Sequence, residues 1–260
     1  MAITFTNKAR KPSIGAGGTD YTTGAISFAA ASEAWVVIQA GPGPGNGTTT
    51  ADVKSNTGSL SFSKSLEIGP ETVAGFNQRC CLWKAPVSSA VASMTVTAGL
   101  TGTNNGDGYD VGVLEVKADS GTINVVQTGT IPTNKGIAGE PVTYSFPAAV
   151  TAGNYYVCIL GMNEDTGGAG VADATFSSGT WTHVSASAFN NKYYGVNVYV
   201  STNFTGTDVT ITDYAGAATW SQVLLLELSE PPGAPVTGYI DMQVGAANRM
   251  LAQNGTDKLV

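Results

Sequence analysis

The sequence predicts an all-β fold made of two tandem antiparallel β-sandwich domains and a C-terminal extension. Three observations lead there. Short runs rich in Val, Ile, Thr, Tyr and Phe recur along the chain, separated by clusters of Gly, Asn, Asp, Pro and Thr. No segment sustains a 3.6-residue apolar period over several turns. The runs also come in two sets, in the same order and at nearly constant spacing, as an internal duplication would leave them.

In chain order, the first set begins with a feeder strand, AISF at 25–28, followed by strands at Trp35–Gln39, Leu60–Leu66, Arg79–Trp83, Met94–Ala98 and Val111–Lys117. The second set begins with VTYSF at 142–146 and continues at Tyr155–Leu160, Ala174–Val184, Tyr193–Val200, Val209–Thr212 and Ser221–Leu228. Trp35-Val36-Val37-Ile38 answers Tyr156-Val157-Cys158-Ile159, and SLSFS at 59–63 answers DATFS at 173–177. The stretch starting at Cys81 answers the one starting at Tyr194, and SMTVT from Ser93 answers DVTIT from Asp208. Each set closes on an apolar strand carrying one acid, Glu115 or Glu227, which alternation points outward, away from its apolar neighbours. The boundary falls in the turn ADSGT after Lys117. This gives domains at 1–118 and 119–230, each of ordinary sandwich size. Residues 231–260 open with the Pro-rich connector in EPPGAP. They then place Ile240, Met242 and Val244 on one face of a strand and end in the helix-compatible AANRMLAQ and a polar tail. Too small to fold alone, this segment either packs on its own domains or serves as a docking arm. The N-terminal 1–18, with Lys8, Arg10 and Lys11, reads as a second, basic arm.

Composition excludes whole classes of function. Charged residues make up 12% of the chain and the net charge is -7, with no basic patch to grip nucleic-acid phosphates. A single histidine, His183, rules out sites needing two imidazoles, and three cysteines cannot build a four-cysteine zinc site. Cys80 and Cys81 alternate across a strand and Cys158 lies in an apolar run, so all three are expected as free thiols. The sequence shows neither a signal-peptide h-region nor an apolar run of membrane-spanning length, which predicts synthesis in the cytosol and no membrane span.

The candidate sites carry little chemistry. GPGPGNGTTT at 41–50 lacks the Lys and the following helix of a phosphate loop and reads as a surface loop, matched by MNEDTGGAG at 162–170. In TNNGDGYD at 103–110, Asn104, Asp107 and Asp110 supply calcium-type oxygen ligands without EF-hand spacing, so a strand-connecting turn is the simpler account. Glu115 and Glu227 are equivalent positions of separate domains rather than a glycosidase pair, and His183 has no nucleophile motif to serve. Trp35 and Trp83 are expected in the core. Tyr109, Trp181, Tyr193 and Trp220 adjoin polar turns and are the candidates for ligand or partner contact, together with Ile240, Met242 and Val244 of the tail.

The succession of a feeder strand ending in SF, then WVVIQAG, a long loop, RCCLWKAPV, SMTVTAG and VGVLEVK resembles the jelly-roll modules of tailed-bacteriophage virion proteins, and, applied twice, covers about 20–118 and 140–229. The resemblance implies a jelly-roll-like fold and a non-enzymatic virion protein of the capsid-decoration, head-fibre or tail-associated kind. Its partners would be other virion proteins and further copies of itself. A glycan-binding adhesin, using the three loops and nearby aromatics on a cell-surface glycan, is the alternative.

Overall fold

The structure is a computed structural model that describes residues 2–11, 20–41, 50–73, 76–101, 108–129, 141–164, 174–184, 194–212, 219–231, 239–244 and 247–252. The first unit contributes β1 (Ile3–Lys11), β2 (Asp20–Thr22), β3 (Ile26–Phe28), β4 (Ser32–Ala40), β5 (Thr50–Asn56), β6 (Ser63–Val73), β7 (Phe76–Val87), β8 (Val91–Met94), β9 (Val96–Thr101) and β10 (Tyr109–Ala118). The second has β11 (Asn124–Gly129), β12 (Val142–Ser145), β13 (Tyr155–Glu164), β14 (Thr175–Phe176), β15 (Trp181–His183), β16 (Tyr194–Ser201), β17 (Asp208–Thr212) and β18 (Thr219–Ser229). A hairpin of β19 (Tyr239–Val244) and β20 (Ala247–Ala252) follows.

Both units wind in the same way. The large sheets run β1-β10-β4-β7-β6 and β11-β18-β13-β16-β15, and the small ones are β2-β9-β5 with β3-β8, and β12-β17-β14. With β2 and β3 taken together as the second strand of their unit and β8 and β9 as the seventh, both units read first-eighth-third-sixth-fifth over second-seventh-fourth. This is a jelly-roll-like order in which the fifth strand sits beside the sixth in the large sheet instead of beside the fourth in the small one. All pairings between the strands of each unit are antiparallel.

The registers coincide as well. Glu115 lies opposite Ala34, and Ala34 opposite Ala85; Glu227 lies opposite Tyr156, and Tyr156 opposite Ser201. Ala34 is therefore the structural equivalent of Tyr156, one residue out of step with the sequence match of Trp35 to Tyr156. Cys81 corresponds to Asn197 rather than to Tyr194. These equivalences take Glu115 and Glu227 as counterparts; in the small sheets Met94 lies opposite Ile26 as Val209 lies opposite Tyr144.

Three apolar layers follow. Each unit fills the space between its own sheets: Val36, Ile38 and Val113 face Phe28, Met94 and Val96 in the first, while Cys158, Leu160 and Leu225 face Phe146, Val209 and Ile211 in the second. The third layer lies between the two large sheets, where Trp35, Leu82 and Leu114 meet Val157, Ile159 and Leu226. The central strands are thus buried on both faces, and for this reason Trp35–Ile38 and Val223–Leu226 read as continuous apolar runs instead of alternating. At roughly 1.5–3 kcal/mol for each fully buried aliphatic side chain, the shared layer contributes on the order of 20 kcal/mol before ordering costs, enough to hold the units as one body.

Across that layer β4 faces β13, β10 and β4 face β16, and β7 and β6 face β18. Exchanging the two units carries β4–β13 onto itself and β10–β16 onto β18–β7, so an approximate two-fold axis runs along the strands between the large sheets, while β4–β16 and β6–β18 have no counterpart of similar extent. The axis passes close to two equivalent positions, Gln39 and Gly161. A methyl group on Gly161 would overlap the Gln39 amide oxygen and lie 3.1 Å from Cys80 Sγ. One side of this contact is large because the other is absent.

Several sequence expectations need correction. The N-terminal segment is no arm over Ile3–Lys11: it is an edge strand paired to β10, with Lys8 3.1 Å from Glu115 and Arg10 2.9 Å from Asp110. The strand expected at Ala174–Val184 is two short ones. The turn at Gly179, whose φ is +74°, carries the chain from the small sheet to the large, and a Cβ there would press on Phe204. The helix-compatible AANRMLAQ contains β20, paired to β19. Glu115 and Glu227 do not point outward. They face the inner cores of their own units and are 9% and 0% exposed.

Candidate functional site

The interlocking of the units sets both of them the same way up. Besides Gln39 on Gly161, Asp110 Oδ2 accepts a hydrogen bond from the Val196 amide at 3.0 Å, and Gln222 Nε2 donates to the Gln78 carbonyl at 3.3 Å. Asp110 and Gln222 are equivalent residues of the eighth strands, and each reaches the sixth strand of the other unit. At this end β4 stops at Ala40, β10 starts at Tyr109 and β13 stops at Glu164. The three loops read from sequence, 41–50, 103–110 and 162–170, therefore spring from one end of the body; residues 42–49, 102–107 and 165–173 themselves lie outside the described residues.

A buried polar layer supports that end. Arg10 and Asp110 form a nearly fully buried ion pair, and burial raises the Asp110 carboxyl above its ordinary range, against the pull of Arg10 and the Val196 amide. Gln39 Nε2 lies 3.4 Å from both Gln78 Oε1 and Gln222 Oε1. Toward the sheet edge, Glu67 takes Arg79 at 3.3 Å and Lys64 at 3.0 Å.

At the opposite end the two buried glutamates perform the same local task. Glu115 accepts the Ala29 amide at 2.8 Å, and Glu227 accepts the Thr151 amide at 2.7 Å, each in the connection between the second and third strands of its unit. The first strand of each unit adds a partner: Lys8 to Glu115 and Gln127 Nε2, at 2.6 Å, to Glu227, each at or beside a β-bulge. Asn154 adds a further bond to Glu227 at 2.6 Å. Burial alone would raise the Glu227 carboxyl, but the bonds from Gln127, Thr151 and Asn154 outweigh it and hold it below the usual range. The two carboxylates face separate cores and share no cleft.

The residues singled out from sequence are placed as follows. Tyr109 is 6% exposed in the first unit's core, which corrects its assignment as an exposed contact: at the start of β10 it faces inward with Val111 and Val113. Trp181 is half-buried, stacked on Phe176 at 4.6 Å and bonded through Nε1 to the Ser178 carbonyl at 2.8 Å, so its ring belongs mainly to the second core. Tyr193 lies outside the described residues. Trp220 holds a place in β18 opposite Asn163, and Ile240, Met242 and Val244 hold alternate positions of β19 opposite Leu251, Arg249 and Ala247. Of the calcium candidates, Asn104 and Asp107 lie outside the described residues, and Asp110 is engaged with Arg10. Among the described residues no group of three His, Cys, Asp or Glu could hold a metal ion.

Among the described residues the three thiols are enclosed and the histidine is partly buried. Cys80, Cys81 and Cys158 are free, buried thiols, as expected, and burial pushes the Cys81 thiol up to about 12. They report on three different layers: Cys80 on the shared core, Cys81 on the first unit and Cys158 on the second. His183 stacks on Tyr199 at 4.7 Å, with Nε2 3.1 Å from Asn197 Oδ1.

Sequence reading missed a concavity of about 460 Å³ between the units. Phe5 of β1, Val184 and Val200 form its apolar lining, and Thr180, Thr182, Thr202 and Asn203 its polar one. It lies between Phe5 of β1 on one side and β15 with the turn that follows β16 on the other. No local sequence pattern marks it, because Phe5 is far along the chain from the threonines. Among the described residues no helix is long and apolar enough to cross a membrane. Comparison with family models, with curated proteins and with solved structures finds no match to this chain.

Proposed function

We propose that this protein is a non-enzymatic structural protein of a tailed-bacteriophage virion, of the capsid-decoration, head-fibre or tail-associated kind, acting through contacts with other virion proteins and with copies of itself. The observation that carries this reading is that, among the described residues, the groups catalysis would most readily draw on are engaged. The three thiols are buried, Glu115 and Glu227 each hold a backbone amide, Asp110 is paired with Arg10, and His183 is stacked on Tyr199. The antiparallel two-sheet arrangement, jelly-roll-like apart from the fifth strand, supports the fold that the sequence resemblance implies. We infer further that both units derive from one ancestor that paired with itself through its large sheet; the equivalent registers and the approximate two-fold support this.

Mass spectrometry of purified virions, and microscopy of particles labelled through this chain, test the assignment. The protein is expected at stoichiometric abundance on the head or tail, and its absence from virions overturns the reading. A chain ending at Pro231 is expected to keep its folding midpoint and to lose attachment to particles. Normal attachment would show that the C-terminal segment is not the docking arm. The alternative, a glycan-binding adhesin, gains one specific support in the cleft between the units, whose described lining is uncharged.

A further inference from the structure

We propose that the cleft between β1 and β15 binds a neutral saccharide. Among the described residues its lining carries no charged side chain, and the protein's net charge of -7 disfavours acidic sugars. Its volume, about 460 Å³, falls in the range of small-molecule sites, roughly 300–1,000 Å³. Phe5 supplies an aromatic surface held in place by Trp35, edge-on at 6.1 Å, and by Tyr155 at 6.4 Å. The C–H face of a pyranose packs on such a ring.

The polar side matches a polyol. Thr182 and Thr202 are exposed and make no side-chain hydrogen bond to the described protein, which leaves each hydroxyl one donor and two acceptor positions for sugar hydroxyls. Asn203 is already fixed: Oδ1 accepts the Thr180 amide at 2.7 Å and Nδ2 donates to Thr180 Oγ1 at 3.2 Å, so the turn that carries Thr202 is preorganised. An apolar platform facing free neutral hydroxyls selects a ligand with one apolar face and a hydroxylated edge. A peptide or a lipid tail would leave those hydroxyls unmatched. This site does not rest on the virion assignment and belongs to the fold wherever the protein acts.

The test uses the full chain with neutral glycans, their sialylated counterparts and methyl glycosides of neutral hexoses, read by glycan array and by saturation-transfer NMR. Neutral saccharides are expected to bind and sialylated ones to bind more weakly. Thr182→Val and Thr202→Val are each expected to weaken binding about fivefold or more without moving the thermal midpoint, since each keeps its shape and loses only a hydroxyl. Phe5→Leu keeps apolar volume and removes the ring, and is expected to weaken binding similarly. Thr143→Val, on the small sheet of the second unit, is expected to leave affinity unchanged. No binding by any neutral glycan overturns the proposal. So does preference for sialylated forms, or binding that none of the three cleft substitutions alters.

Discussion

Gly161→Ala tests the interlock at the approximate two-fold. The added methyl would overlap the Gln39 amide, and the backbones cannot yield, because β4 and β13 are both central strands of their sheets. Gln39 must therefore swing away from Gln78 and Gln222. An unsatisfied buried amide costs about 1–3 kcal/mol and overpacking a similar amount. A total near 2–4 kcal/mol is expected, or about 5–15 °C in midpoint for a chain of this size. The same change in a Gln39→Ala background is expected to cost under about 1 kcal/mol, because its obstacle is gone and only the contact with Cys80 remains. Urea denaturation of the four proteins measures the coupling. If Gly161→Ala costs the same in both backgrounds, to within about 0.5 kcal/mol, the packing of equivalent residues on the axis is wrong.

Two further outcomes follow from the buried charges. The Glu227 carboxyl is held below its ordinary range, so its contribution is present at neutral pH and is lost as pH falls from about 5 through its folded value. Glu227→Gln should flatten that part of the pH dependence of the urea midpoint, and an unchanged slope would contradict the assigned bonds. Removing one member of the buried pair, as in Asp110→Leu, should cost about 3–5 kcal/mol, and the double replacement with Arg10→Leu should recover at least half of it in equilibrium unfolding. No recovery would show that Asp110 acts chiefly through the Val196 amide.

Much of this fold is legible in the sequence because strands such as Trp35–Gln39, Val111–Lys117 and Ser221–Leu228 carry dense β-branched and aliphatic runs. What is not legible follows from distance along the chain. Lys8 and Arg10 look like a soluble basic end until their partners, Glu115 and Asp110, about a hundred residues away, turn the segment into an edge strand. Alternation placed Glu115 and Glu227 outward because it assumes one buried face. With both faces of the large sheets buried, the carboxylates fall inside, and the Ala29 and Thr151 amides that satisfy them come from connections whose shape no local pattern announces. Ala, Met and Leu favour helix in isolation, yet in AANRMLAQ strand pairing with β19 prevails. Tyr109 was misplaced by its polar neighbours, since burial is decided by register in β10 and not by the adjoining turn. The cleft depends on Phe5 and Thr182 lining one space across two units, a juxtaposition that only the packing of the large sheets creates.

The central claim is that two β-sandwich units form one block through a shared core, and the three native thiols read it directly. Cys80 lies in the shared layer, Cys81 in the first core and Cys158 in the second. Pulsed alkylation in increasing urea, resolved by mass spectrometry, follows the opening of each layer separately. All three thiols are expected to become reactive together, with one midpoint and one denaturant dependence. Labelling of Cys80 at lower urea than Cys81 and Cys158 would mean that the units part before either unfolds, and would contradict the shared core.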